Sequence, residues 1–182
     1  MVRVERVVFA LMLSCALFVL LLEEDAQLGI AGPRYNASAS MPTGVYWFVP
    51  GPVRRGDIVG ACLPGALARY ALAHKILDPS RHPCANGVEP IIKVLAAESG
   101  DVVDIGPQGV RINGVLWPMS VVRHADAHGH AVEFRMPPGR YRIAPDKVFL
   151  MGEHPRSWDS RYFGEVPRSE ITGRWIPLIT NT

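Results

Sequence analysis

Three side chains in this sequence suit acyl-transfer chemistry: two serines with one residue between them, and a lysine inside an apolar run. Ser38 and Ser40 stand in Tyr35-Asn36-Ala37-Ser38-Ala39-Ser40-Met41-Pro42-Thr43-Gly44. The alanines at 37 and 39 leave room for a substrate backbone, and Pro42 stiffens the chain beside the second hydroxyl. The same composition also suits a polar linker. Lys93 lies in Glu89-Pro90-Ile91-Ile92-Lys93-Val94-Leu95-Ala96-Ala97. A lysine buried in such a strand loses proton affinity through desolvation, and a neutral amine at about pH 7 to 8 is what a general base must be. A solvent-facing Lys93 would be an ordinary strand residue. Lys75 beside His74, and Lys147 after Asp146, both reach water easily. The segment Met151-Gly152-Glu153-His154-Pro155-Arg156-Ser157-Trp158-Asp159-Ser160-Arg161-Tyr162-Phe163-Gly164 is too polar for a strand and too aromatic for a flexible loop. Its Ser, Asp and Arg side chains suit a hydrogen-bonded platform under a site.

Other chemistries have less support. The run His124-Ala125-Asp126-Ala127-His128-Gly129-His130 has ligand-type side chains but no apolar frame to orient the imidazoles. It reads as a solvated loop, so neither a metal nor another cofactor is expected. Gly-x-Ser-x-Gly and Ser-x-x-Lys do not occur, nor does a glycine-rich phosphate cradle. A net charge of +2, from 19 basic and 17 acidic residues, argues against a nucleic-acid partner.

The elements that must position these groups follow from composition and pattern. A chain of 182 residues is about one domain. With 48% apolar and 20% charged residues it is not a disordered chain, and 17 Gly with 16 Pro favour a turn-rich β fold. The run Val7 to Leu22 carries no charge and lies between Arg6 and Glu23-Glu24-Asp25. It is short against the about 20 residues a spanning helix prefers, so an uncleaved anchor and a removed signal peptide are both open. The small-x-small pattern of a cleavage site is missing after it, which favours the anchor. Arg3 and Arg6 hold the N-terminus in the cytoplasm. The expected organisation is a cytoplasmic N-terminus (1–6), an anchor (7–22), a connector (23–34) and an exported domain (35–182).

Within that domain, strands are expected at Val45 to Val49, Asp57 to Cys62, Ile91 to Ala97, Val102 to Ile105, Gly139 to Ile143, Val148 to Met151 and Ile171 to Ile179. Asn113-Gly114 should join Val110 to Ile112 and Val115 to Trp117 as a hairpin. Helical spacing predicts one helix, Ala66 to Leu77. The expected fold class is therefore mainly β: an N-terminal transmembrane helix, then an antiparallel β domain with one short helix. Outside the cytoplasm Cys62 and Cys84 either bridge or remain free thiols, and Cys15 is a packed thiol of the apolar run.

In this order the segments resemble the type I signal peptidase superfamily of Ser/Lys proteases, and within it the TraF-like conjugal transfer peptidases. Ser38-Ala39-Ser40-Met41-Pro42 is similar to the nucleophile box, and Arg55-Gly56-Asp57-Ile58-Val59 to the strand box after it. Ile92-Lys93-Val94 with Ser99-Gly100-Asp101 resembles the lysine box, and Ser157-Trp158-Asp159-Ser160-Arg161-Tyr162-Phe163-Gly164 the last box. The resemblance covers about Asn36 to Val166, nearly the whole exported part. It implies Ser40 as nucleophile and Lys93 as general base. Ser38, through its hydroxyl, and Ser40, through its N–H, would form the oxyanion hole. It also implies Ser157 as the residue that aims the lysine, with Asp159 and Arg161 as a supporting pair. The Cys62 and Cys84 pair and the small size fit the TraF-like branch.

The chain departs from the signal peptidase pattern at Val94, where arginine is usual, and at Ser99, where proline is. The last box opens Gly152-Glu153-His154-Pro155 instead of Gly-Asp-Asn and is one residue shorter before Ser157. The implied activity is a membrane-anchored serine endopeptidase that matures an exported precursor, here a conjugative pilin, with cyclisation as one outcome. A general signal peptidase and a non-catalytic component of a conjugation or secretion apparatus are the alternatives. The implied partners are the precursor, lipid of the bacterial cytoplasmic membrane and other proteins of the conjugation apparatus, with catalysis in the periplasm.

Overall fold

The computed structural model describes residues 6–14, 31–79, 84–125 and 135–181. Residues 6–14 form a helix, α1, whose apolar side chains, including Phe9 and Met12, are exposed. Among the described residues no helix is long and apolar enough to cross a membrane. Residues 15–22 of the expected anchor and 23–30 of the expected connector lie outside the described residues, as do Cys15, Asp126, His128 and His130.

The rest is mainly antiparallel β structure. The strands are β1 (Gly32–Asn36), β2 (Gly44–Val49), β3 (Ile58–Ala61), β4 (Ile91–Glu98), β5 (Val102–Gly106), β6 (Gly109–Ile112), β7 (Val115–Leu116), β8 (Gly139–Arg142), β9 (Lys147–Met151), β10 (Val166–Pro167) and β11 (Ile171–Thr180). Seven of them form one sheet in the order β1-β2-β11-β3-β4-β9-β10, and four form a second in the order β7-β6-β5-β8. In the β6–β7 turn Asn113 and Gly114 both have positive φ, at 49° and 85°. That is the backbone a two-residue hairpin needs, and Asn-Gly supplies it with little strain.

Three expectations need correction. Gly32 to Arg34 belong to β1, an edge strand paired with β2, and not to a connector. Pro33 interrupts the apolar pattern, but an edge position tolerates its missing N–H. The helix expected at Ala66 to Leu77 is α2, Gly65–Ala73; Lys75 turns to φ 54° and ends it. A further helix, α3 (Ser160–Phe163), is a single turn capped by the Asp159 side chain, too short to show a period in the sequence.

Two large cores sit against these sheets. One gathers Val59, Leu63, Leu67, Leu95 and Leu150 under α2, and the other gathers Val103, Ile105, Val110, Ile143 and Phe149. A smaller cluster of Met41, Ile92 and Val94, lined by Ile58, Trp117 and Trp175, joins the loop after β1 to the strand that carries Lys93.

Candidate active site

The loop between β1 and β2 carries both serines, and a carboxamide organises it. Asn36, at the end of β1, is 4% exposed. Its Nδ2 donates to the carbonyls of Ser38 at 3.0 Å, Met41 at 3.3 Å and Pro42 at 2.9 Å. Its Oδ1 accepts the Ser38 N–H at 3.0 Å. The Tyr46 hydroxyl donates to the Pro42 carbonyl at 2.6 Å, and Met41 is buried in the small cluster. The loop is thus tied from beneath while its hydroxyls stay accessible. Ser38 Oγ and Ser40 Oγ are 3.0 Å apart, and Ser38 Oγ accepts the Ser40 N–H at 3.4 Å.

Lys93 reaches this loop from the middle of β4, where it pairs with Val59 and is 4% exposed. Its Nζ donates to Ser40 Oγ at 2.8 Å and to the Ile92 carbonyl at 3.0 Å, across 53 residues of sequence in the first case. Burial lowers its pKa from 10.5 to about 8. The Asp159 carboxylate opposes that fall, and the Arg161 guanidinium adds to it. This lysine can therefore exchange a proton near neutral pH.

The wall beside them is the segment from Gly152 to Arg161. Asp159 and Arg161 are both 0% exposed and form an ion pair at 2.8 Å. Arg161 donates to Asp159 through its N–H at 3.2 Å, Nε at 2.8 Å and Nη2 at 2.8 Å. Its Nη1 donates to the carbonyls of Met119 at 3.0 Å and Val121 at 3.4 Å, tying in the chain after β7. Asp159 also accepts the Gly152 N–H at 2.9 Å, and Glu153 N–H donates to the Ser40 carbonyl at 2.9 Å. The Trp117 indole donates to the Gly152 carbonyl at 3.4 Å. Gly152 admits no side chain, since a Cβ would overlap Ser157 Oγ and lie 2.8 Å from the Ser40 carbonyl oxygen. Ser157 is 1% exposed, and its buried Oγ has no hydrogen-bond partner among the described residues. A buried hydroxyl without a partner costs free energy, and this one lies against Gly152 beside Ser40.

The structure thus gathers Ser38, Ser40, Lys93, Ser157, Asp159 and Arg161 around one spot. Cys62 and Cys84 stand apart from it, joined with Cα atoms 5.6 Å apart across the described ends of the α2 excursion. Of the departures from the signal peptidase pattern, Val94 is buried beside Met41, Ser99 is in an exposed turn, and Gly152-Glu153 is the contact with Ser40. Sequence reasoning missed Asn36 and Gly152 as organisers. An Asn at a strand end before a loop of small polar residues is the signal for the first, because its side chain can cap several backbone groups.

The sequence pattern described as "Signal peptidase, peptidase S26" matches residues 3–179. A "Plasmid transfer protein TraF" of Escherichia coli is 34% identical over 151 residues, covering 82% of this chain and 84% of that protein. A "Conjugal transfer protein TraF" of Agrobacterium tumefaciens (strain 15955) is 35% identical over 169 residues, covering 92% of each. The crystal structure of a signal peptidase I from Enterococcus faecalis V583 aligns with a TM-score of 0.39 at 19% identity, over 69% of this chain and 98% of that one.

Proposed function

The chain belongs to the signal peptidase, peptidase S26, family, and from that premise we propose that it is a membrane-anchored Ser/Lys endopeptidase that matures an exported conjugative pilin precursor. The observation that carries the reading is the 2.8 Å contact between Lys93 Nζ and Ser40 Oγ, with the lysine buried and its pKa lowered to about 8. A serine hydroxyl is a weak nucleophile without an adjacent base, and a lysine is a weak base unless desolvated.

In the proposed reaction, neutral Lys93 accepts the Ser40 Oγ proton as Oγ attacks the peptide carbonyl. The Ser40 N–H and the Ser38 hydroxyl donate to the oxyanion; removing one such donor costs about 3 to 4 kcal/mol of transition-state stabilisation. The tetrahedral species collapses when the Lys93 ammonium protonates the leaving amine, which leaves an ester on Ser40. Water, or the free N-terminal amine of the substrate, then gives its proton to Lys93 and attacks the ester; the Ser40 Oγ–acyl bond breaks, and the Lys93 ammonium returns a proton to Oγ. The first route yields a linear product and the second a cyclic one. The buried Ser157 hydroxyl would aim the lysine amine, and the Asp159–Arg161 pair would hold the wall in place. The anchor places the N-terminus in the cytoplasm and the catalytic domain in the periplasm.

The relatives' names as plasmid and conjugal transfer proteins support the conjugative setting. The test is to express a co-encoded pilin precursor with the wild type, with Ser40→Ala and with Lys93→Ala, and to weigh the product. Processing by the wild type alone is expected, with a product lighter than the linear form by one water if cyclised. Full processing by Ser40→Ala would overturn the peptidase reading in favour of a non-catalytic assembly role.

A further inference from the structure

Between β3 and β4 the chain leaves the sheet and carries α2 across the outside of the last-box segment. Cys62 directly follows β3, and its disulfide to Cys84 closes this excursion. The Cys62 N–H donates to the Glu170 carbonyl at 2.8 Å, and the Asn86 amide donates to the Leu63 carbonyl. α2 turns Leu67, Ala68 and Ala71 into the core it shares with Val59, Leu150 and Phe163. On its flank Tyr70 lies parallel to Trp158, with ring centroids 6.2 Å apart and planes 12° apart. His74 stacks on Tyr70 at 4.1 Å, and Trp158 meets the edge of Phe163 at 4.8 Å.

Trp158 stands between Ser157, whose hydroxyl crowds Gly152 beside Ser40, and Asp159, whose carboxylate fixes the Gly152 N–H. The segment therefore has two sides. Ser157 and Asp159 face the Lys93 site, and Trp158 packs outward against α2. An aromatic stack of this kind adds about 0.5 to 1.5 kcal/mol beyond its area burial. That is enough to hold one segment against another, and too little to hold the whole fold.

We propose that the disulfide-closed excursion is a brace for the active site: Tyr70 and Trp158 act as positioning residues that press the Ser157–Asp159 segment inward and keep water from Lys93. This rests on reading Lys93 as the base. Cutting the disulfide lets α2 move, removes the support behind Trp158 and opens the base to solvent. The charged groups acting on Lys93 are Asp159, on the braced segment, and Arg161, paired to it from α3, so loosening the segment acts on the same amine.

The experiment uses the full chain in detergent with 13C-labelled lysine. The sequence has only Lys75, Lys93 and Lys147, so each Cε resonance can be followed through a pH titration. In the wild type Lys93 should titrate near about 8. In Tyr70→Ala, and in the Cys62→Ser/Cys84→Ser double variant, its midpoint should rise by about one pH unit or more, because water returns to the amine. Tyr70→Phe, which keeps the ring, should titrate as the wild type does. A Lys93 midpoint unchanged in both perturbed proteins would overturn the brace. So would a rise accompanied by loss of the β-sheet circular dichroism, since the whole fold would then be what failed. The readout needs no substrate, so a failure of the peptidase reading, seen as full processing by Ser40→Ala, stays distinct from a failure of the brace.

Discussion

The loop carrying Ser40 is held from beneath by neutral hydrogen bonds, whereas the segment carrying Asp159 and Arg161 is held by a fully buried ion pair. In the loop, the Asn36 amide and the Tyr46 hydroxyl bind backbone carbonyls, and the serine side chains remain within reach of a substrate. In the segment, the Asp159 and Arg161 charges are both out of water, and the guanidinium is spent on one carboxylate and two carbonyls. A nucleophile must meet its substrate, so its support is confined to its backbone. A base must lose water, so its surroundings are buried, and a buried charge is tolerable only when fully partnered. Lys93 lies where the two regimes meet, with its stem in the sheet and its Nζ on Ser40.

Replacing Lys93 by methionine would remove the base and leave both regions standing. Lys93→Met should lower processing by about 10² to 10⁴-fold, the usual share of general acid–base catalysis. It should not lower stability, because the buried amine is a cost to the fold. The same residue gives stability a pH dependence. Its folded-state pKa, about 8, lies below the unfolded 10.5, so the unfolded chain binds more protons between those values. Stability therefore rises with pH across that window, by about 3 kcal/mol from this group, and the cost is fully present below it. Urea titrations from pH 7 to 10 should show the rise in the wild type and a flatter line in Lys93→Met. Equal slopes would mean that Lys93 is solvated and that the contrast between the two regions is drawn in the wrong place.

The buried side of the comparison breaks differently. Arg161→Met leaves the Asp159 carboxylate buried with the Gly152 N–H and its own helix turn as partners, and strands the Met119 and Val121 carbonyls. Removing one member of a buried pair costs about 3 to 5 kcal/mol. Denaturation of the variant should show a loss of that order, with activity lost along with the fold. An Asp159→Asn/Arg161→Met double variant should recover part of the stability, since it leaves no uncompensated charge. A double variant as unstable as Arg161→Met would mean that the ion pair is not what holds the segment.

The two regions were also unequally legible in the sequence. Strands with alternating or continuous apolar residues, such as β4 and β9, could be placed within a residue or so from pattern alone, and Asn113-Gly114 announced its turn. β1 could not, because Pro33, Arg34 and Asn36 break the alternation and only pairing with β2 makes the stretch a strand. A single-turn helix such as α3 has no period to read, and its Asp159 cap is visible only once Arg161 is seen folding back onto it. The residue types in the site were legible: a lysine among aliphatics, serines among alanines, Ser, Asp and Arg near aromatics. Their meeting was not, because no local spacing relates residues 53 apart, and only the order of the segments pointed to it. Gly152 was the least legible of all, since its importance lies in what a side chain there would displace.

The smallest expected effect sharpens the comparison from the loop side. Asn36→Ala removes four hydrogen bonds to the backbone of residues 38 to 42; the groups at Ser38 and Pro42 are part-buried and the Met41 carbonyl is buried, but none of them is charged. The loss of stability should be about 1 to 2 kcal/mol, less than for the buried arginine. Its effect on catalysis should exceed that share, since a misplacement of about 1 Å at a reacting group costs about 10²-fold in rate. Tyr46→Phe removes a single bond, to the Pro42 carbonyl, and should lower the rate by less than Asn36→Ala does. Both variants should act on kcat and leave the alkaline rise in stability intact, because Lys93 remains in its strand. If Asn36→Ala instead abolished that rise, the loop would be part of what keeps water from the base. The loop's hydrogen bonds would then share with the segment around Asp159 the exclusion of water from Lys93.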